Sequence, residues 1–380
     1  MTPKINVAII AGQLVVGGAE RQLFLWLSNL DREKFSPIVV TLHPDYGDYW
    51  EAPIEGLGIP LLRIRHRRFR LARLLDIIKA LRPYNPSLIH GWHLFASPYA
   101  GITAKLLGAK SLGGVRGNFR AFKSNFIESQ LTLLFADALL VNSKSTFRQL
   151  KNTKKKIYVV QNAVETIKKE RQDARAELAR LFGLPISLPW IGSLGRLEQG
   201  KRFDLLLRMV ANFHKEEKNF HFILIGDGPE KASLQILAES LGIIEHVTFT
   251  GEIYGASEYL KAFDIFCFAS IDEGLPNVVM EAAMAGLPIV SWRVPFMEEL
   301  LENGEMAFLV DQENHVAFKN ALTKLIDSPT LRDSLGRSAQ EHMLKNFSVG
   351  RFVERMTGIY EEILNDQYDE GARNHDSCLS

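Results

Sequence analysis

Cysteine is nearly absent from this chain: 380 residues include two, Cys267 and Cys378. Two thiols cannot supply a disulfide framework. Cys267 falls inside an apolar run, where a small buried thiol fits, and this favours a reducing compartment. Long apolar runs are missing as well. No stretch approaches the roughly 20 residues of a membrane-spanning helix, and the apolar residues 5–11 are too few for a secretory signal with its cleavage site. No short internal repeat stands out. Neither sign of charge dominates, because the net charge is +1.

What is present describes a soluble globular protein, 46% hydrophobic and 23% charged, with length enough for two domains of ordinary core size. The small net charge hides two unequal halves. Residues 1–164 hold 23 Lys and Arg against 10 Asp and Glu, and the remainder holds 22 against 34. Opposite halves suggest two domains that attract one another, or a basic half that meets an anionic membrane or acceptor.

The first half alternates strand and helix. Residues 4–11 (KINVAIIA) read as a central parallel strand. A glycine loop, residues 12–18, leads into a helix over 19–30 with Leu23, Leu27 and Leu30 at helical spacing. Gly18 stands where a P-loop needs lysine, and the dinucleotide G-x-G-x-x-G spacing is also absent. Further strands are expected at 37–42, 59–64, 87–92, 110–115, 137–141 and 154–160. Between the second and third of these, residues 65–82 carry seven basic side chains and His66 over a leucine stripe. That helix either lies on anionic lipid or is an ordinary solvated outer helix. His90 and His93 follow a buried strand, where open α/β sheets bind ligands; the alternative is a histidine satisfied in the core. Arg116, in the loop GVRGN, offers an anion contact. Asn142 and Ser143 precede the helix starting at 144 as its cap.

The second half repeats the alternation after a polar linker. Strands are expected at 189–194, 220–225, 246–250, 264–269 and 288–292. Gly195, Arg196 and Lys201 occupy the loop after the first of them, and Gly226 to Glu230 (GDGPE, with Gly228 at its centre) the turn after the second. The stretch DEGLPNVVMEAAMAGLPIVSW at 272–292 reads as loop, helix and strand. Pro276 suits the helix's first turn and Gly286 its end. Helix N-termini present unpaired N–H groups to anions, and Glu281, the lone charge in that helix, could accept sugar hydroxyls. Helices are also expected at 316–326, 330–344 and 349–364, with a mobile polar tail from Asn365.

The ordered set GRLEQGK, GDGPE and EGLPNVVMEAAMAG resembles the retaining, nucleotide-sugar-dependent transferases of glycosyltransferase family 4 (glycosyl transferases group 1). The resemblance runs over nearly the whole chain and implies the GT-B fold: two Rossmann-like α/β domains facing each other across a cleft. It implies an N-terminal acceptor domain, 1–164 with the helix from 349 to 380 crossing back, and a donor domain over 165–348. Arg196 and Lys201 would hold the donor diphosphate, Glu281 the ribose, and Glu273 the transferred sugar. The backbone at Leu275, Pro276, Asn277 and Val278 would line the phosphates, with Gly195 and Gly228 in the flanking turns. Gly17 and Gly18 resemble the family's N-terminal glycine loop. Its pocket histidine would be His93 or else His90, with Arg116 also on the acceptor side.

The implied partners are a UDP- or GDP-sugar donor, a carbohydrate or lipid-linked acceptor and an anionic membrane surface, without nucleic acid. No cofactor or metal is expected: Asp45 and Asp48 have the wrong spacing for Asp-x-Asp, and the two cations take the metal's place. The expected reaction is front-face transfer with retention, in cell-surface polysaccharide or glycolipid assembly, cytoplasmic or peripheral on the inner face of the membrane. A non-catalytic nucleotide-sugar-binding protein, and an epimerase or phosphorylase of the same fold, are the competing readings.

Overall fold

Runs of β-branched and leucine residues become strands in two all-parallel sheets, because strands covered on both faces tolerate near-continuous apolar sequence. The computed structural model describes residues 4–43, 48–65, 69–117, 119–216 and 218–376. The chain divides into two compact units, Met1–Ala163 with Val349–Ser380, and Val164–Ser348. The division falls one residue before the expected 164/165 boundary. Val164 belongs to the second unit, where its N–H donates to the Phe347 carbonyl at 2.9 Å.

In the first unit the strands are β1 (Ile5–Ala11), β2 (Phe35–Thr41), β3 (Leu61–Arg63), β4 (Leu88–Gly91), β5 (Lys110–Val115), β6 (Ala138–Val141) and β7 (Lys156–Val159). Their order is β3-β2-β1-β4-β5-β6-β7. The second unit holds β8 (Trp190–Leu194), β9 (His221–Ile225), β10 (Val247–Gly251), β11 (Ile265–Phe268), β12 (Ile289–Trp292) and β13 (Ala307–Val310), in the order β10-β9-β8-β11-β12-β13. Both sheets therefore reverse direction beside their first strand, between β1 and β4 and between β8 and β11. Outside the carboxyl ends of strands at such a reversal, open α/β sheets leave a crevice for ligands.

The first unit's core is closed by the last helix, Val349–Asp376. Phe352, Met356, Tyr360 and Ile363 recur every three or four residues and are buried against Trp26 and Phe35. Trp26 and Tyr360 meet edge to face, with ring centroids 5.3 Å apart. This helix runs on to Asp376, past Asn365, where a mobile tail was expected; no proline interrupts it.

Three other details differ from the sequence reading. Helices Phe119–Ser124 and Phe126–Phe135 fill the interval before β6, and helix Pro295–Leu300 precedes β13. Pro276 is the N-cap of the Asn277–Met284 helix rather than part of its first turn. The basic helix spans Arg70–Leu81; His66, Arg67 and Arg68, like Asp45 and Cys378, lie outside the described residues. The Ser143 hydroxyl does cap the Lys144–Leu150 helix, accepting from the Thr146 N–H at 3.1 Å. Among the described residues no helix is long and apolar enough to cross a membrane.

Candidate active site

At the carboxyl end of the second sheet, two glycine turns interlock. The Leu197 N–H donates to the Asp227 carbonyl, and the Glu230 N–H to the Leu197 carbonyl, both at 2.9 Å. Glycine makes this approach possible. A Cβ on Gly226 would lie 2.0 Å from the Gly195 carbonyl oxygen, and one on Gly228 2.4 Å from that of Leu197. Gly226 also takes a φ of 139°, which side chains disfavour. Gly226 and Gly228 thus let their turn pack against Gly195 and Leu197, in the loop that carries Arg196 and Lys201.

That loop and the one after β11 flank the reversal, and one ion pair bridges them. Lys201 Nζ lies 2.5 Å from Glu273 Oε1, with both side chains mostly buried. The Ser270 hydroxyl, at the end of β11, is 2.8 Å from the same carboxylate oxygen. Arg196 is not part of this group. Its side chain is 73% exposed, and its one ion-pair partner among the described residues is Glu198, at 3.9 Å.

Immediately beyond Glu273, Leu275 and Pro276 are buried and Asn277 and Val278 begin the short helix. Its amino end therefore adjoins the Lys201–Glu273 pair in sequence, with its partial positive charge toward the same strand ends. Glu281, one turn further in, is buried at 8% exposure. A carboxylate there is costly unless engaged. The second unit so brings together a glycine-buttressed loop carrying Lys201, a helix start and two carboxylates, a set suited to a nucleoside diphosphate with attached sugars.

The first unit has a comparable arrangement at its own reversal. Gly17 is the N-cap of the Gly18–Asn29 helix, and a Cβ there would meet Glu20 Oε2 at 2.2 Å. The Glu20 carboxylate folds back to lie 3.0 Å from His93 Nε2. His93 follows β4, so this pair joins the strands on either side of the switch. His90 points elsewhere: it is wholly buried, with Nδ1 2.8 Å from the Tyr360 hydroxyl. Burial, followed by the nearby charges of Arg116 and His93, holds its pKa well below the usual imidazole range. Arg116 lies over the Trp92 ring, 3.7 Å from its centroid.

Glu20, Trp92, Ser270 and Tyr360 were not singled out from sequence. Glu20 carries the one available signal, an acid in the first helical turn after a glycine loop, and it reads equally well as a dipole-stabilising surface residue. Among the described residues no group of three or more His, Cys, Asp or Glu is placed to hold a metal.

Two family models match the chain: Glycosyl transferases group 1 over residues 182–342 and Glycosyltransferase Family 4 over residues 16–168. A lipopolysaccharide core biosynthesis glycosyltransferase of Rhizobium meliloti, LpsD, is 29% identical over 348 residues, 91% of this chain and 95% of its own length. A D-inositol 3-phosphate glycosyltransferase of Corynebacterium jeikeium is 29% identical over 72% of this chain and 69% of its own. Among solved structures, Anabaena Alr3699/HepE in complex with UDP-glucose superposes with a TM-score of 0.82 at 17% identity, covering 94% of this chain and 100% of that one. At that identity the likeness is one of fold.

Proposed function

Because this chain is a GT-B-fold glycosyltransferase related to the group 1 and family 4 enzymes, we propose that it transfers a hexosyl group from a UDP- or GDP-sugar to an acceptor hydroxyl with retention. The observation that carries this reading is the Lys201–Glu273 pair across the β8/β11 reversal. As the bond from the anomeric carbon to the diphosphate breaks, negative charge collects on the departing phosphate. Lys201, drawn from Glu273 onto the diphosphate, stabilises that charge. Arg196 joins it by a rotamer change from its solvent-exposed position. Glu273 is then released to the transferred sugar, Glu281 accepts the ribose hydroxyls, and the amides of the Leu275 to Val278 segment line the phosphates. On the acceptor side, Glu20, next to the Gly17-Gly18 turn, holds His93 in place within the first unit. The first unit, Met1–Ala163 with Val349–Ser380, is the acceptor domain in this reading, and the acceptor a carbohydrate or lipid-linked precursor of a cell-surface polysaccharide.

A peripheral position on an anionic membrane is part of the proposal, and the first unit's surface supports it. Phe69, Leu71 and Leu75 are exposed at and along the Arg70–Leu81 helix, as are Phe126, Ile127 and Leu134 on the Phe126–Phe135 helix. Arg70 joins the two helices through Glu128 at 2.8 Å. Residues 64–135 hold twelve Lys and Arg against two acidic residues. Apolar side chains among cations suit the boundary between headgroups and acyl chains.

The donor half of this proposal is tested by calorimetric titration of UDP- and GDP-sugars into Glu281→Ala. A loss of about 1–3 kcal/mol in donor affinity is expected from the missing hydrogen bonds. Unchanged affinity would remove Glu281 from the site. An enzyme that interconverts UDP-sugars with no acceptor would be an epimerase instead.

A further inference from the structure

Arg116 carries a buried charge with no hydrogen-bond partner among the described residues, and its Nε, Nη1 and Nη2 are all shielded from solvent. Burial lowers its pKa to about 9, which leaves the group charged at neutral pH. An unpaired interior cation is among the more expensive features of a fold. Glu20 attracts it electrostatically, yet the Glu20 carboxylate lies 3.0 Å from His93. The Tyr360 hydroxyl is 2.8 Å from His90.

The guanidinium's support is rigid. Trp92 is fully buried, and its indole N–H donates to the Ala19 carbonyl at 2.8 Å. Gly114 lets β5 run close against β4: a Cβ there would lie 2.4 Å from the Gly91 carbonyl oxygen. One face of the guanidinium is covered by the indole, so its free donors lie in its own plane. That planar fork matches two oxygens of a phosphate or carboxylate. Arg116, Trp92 and Glu20 all follow the carboxyl ends of strands at or next to the reversal, where a ligand belongs.

We propose that Arg116, laid on Trp92, is the receptor for an oxyanion, phosphate or carboxylate, borne by a substrate. The inference rests on the transferase reading only in calling that ligand a substrate. The anion belongs either to the donor's diphosphate or to an acidic group on the acceptor, and the two sources are separable.

The test is thermal unfolding of wild type, Arg116→Met and Arg116→Gln, each alone, with inorganic phosphate, with UDP and with both, at matched ionic strength. Phosphate is expected to raise the wild-type Tm by a few degrees, saturably, and to leave both variants unmoved. The ligand-free variants are expected to melt no lower than wild type, since a costly charge has gone. If UDP stabilisation is also lost in the variants, the oxyanion is the donor's. If UDP stabilises all three proteins and phosphate adds to UDP-saturated wild type alone, it is the acceptor's. The same phosphate shift in wild type and both variants, or no shift in wild type, would overturn the proposal. No arm depends on sugar transfer, so failure here leaves the transferase reading standing.

Discussion

Breaking the Lys201–Glu273 pair should have a measurable cost even without substrate. At 2.5 Å and an effective dielectric of about 20, Coulomb's law gives a gross attraction on the order of 6–7 kcal/mol. Desolvation of the two charges offsets most of it, because both side chains are at least three-quarters buried, at 24% and 17% exposure. The net coupling expected is about 1–3 kcal/mol. A double-mutant cycle in urea with Lys201→Met, Glu273→Gln and the double variant reads this quantity directly. The single variants should each cost more than half of the coupling, and the double variant less than their sum. Saturating UDP should then shrink the coupling, since a diphosphate draws the ammonium away from the carboxylate. A coupling below about 0.3 kcal/mol without ligand would mean that the pair is not formed in solution. A coupling unchanged by UDP would mean that Lys201 does not serve the diphosphate.

Gly226→Ala would place a methyl 2.0 Å from the Gly195 carbonyl oxygen at a φ of 139°, and should cost at least about 2 kcal/mol in urea unfolding; wild-type stability would refute the interlocked turns. His221 gives a pH dependence. Its pKa is lowered to about 4, first by burial and then by the charge of His246, so above about pH 6.5 the ring is neutral folded and unfolded. As the pH falls from there toward 4 only the unfolded chain binds this proton, and His221 should contribute a stability loss of up to about 3 kcal/mol; His221→Asn removes that share and leaves the share of His90, which is lowered too. For the membrane surface, Phe69→Ser/Leu71→Ser/Leu75→Ser should abolish sedimentation with anionic vesicles, and salt should weaken wild-type binding; equal sedimentation would leave a solvated helix.

Much of the fold was legible because parallel strands announce themselves as short apolar runs. KSLGGV at 110–115 and IVSW at 289–292 are almost entirely apolar or small, and they became β5 and β12. The helix Phe126–Phe135 was not legible, because Phe126, Ile127 and Leu134 face outward and blur its period. β13 is four residues long and half-exposed at Phe308 and Val310, which gives it little strand signature. Site residues were legible as types in loops, while their partners were not. Lys201 and Glu273 are 72 positions apart, and His90 and Tyr360 270; spacing says nothing about such meetings. Arg196 shows the converse. Its motif drew attention to it, yet its side chain stands in solvent, because a long charged side chain is hydrated until an anion recruits it.

The central claim is that the β8/β11 reversal is where a nucleotide-sugar is broken. Nucleotide release from a panel of UDP- and GDP-sugars, with wild type and Lys201→Ala run side by side, tests it most directly. The account predicts release from at least one donor, stimulated by acceptor, and a loss of about 10²–10³-fold in Lys201→Ala, as expected for removing one preorganised charge from the transition state. Release that is unchanged in Lys201→Ala, or no binding and no turnover of any donor by folded wild-type protein, would contradict it.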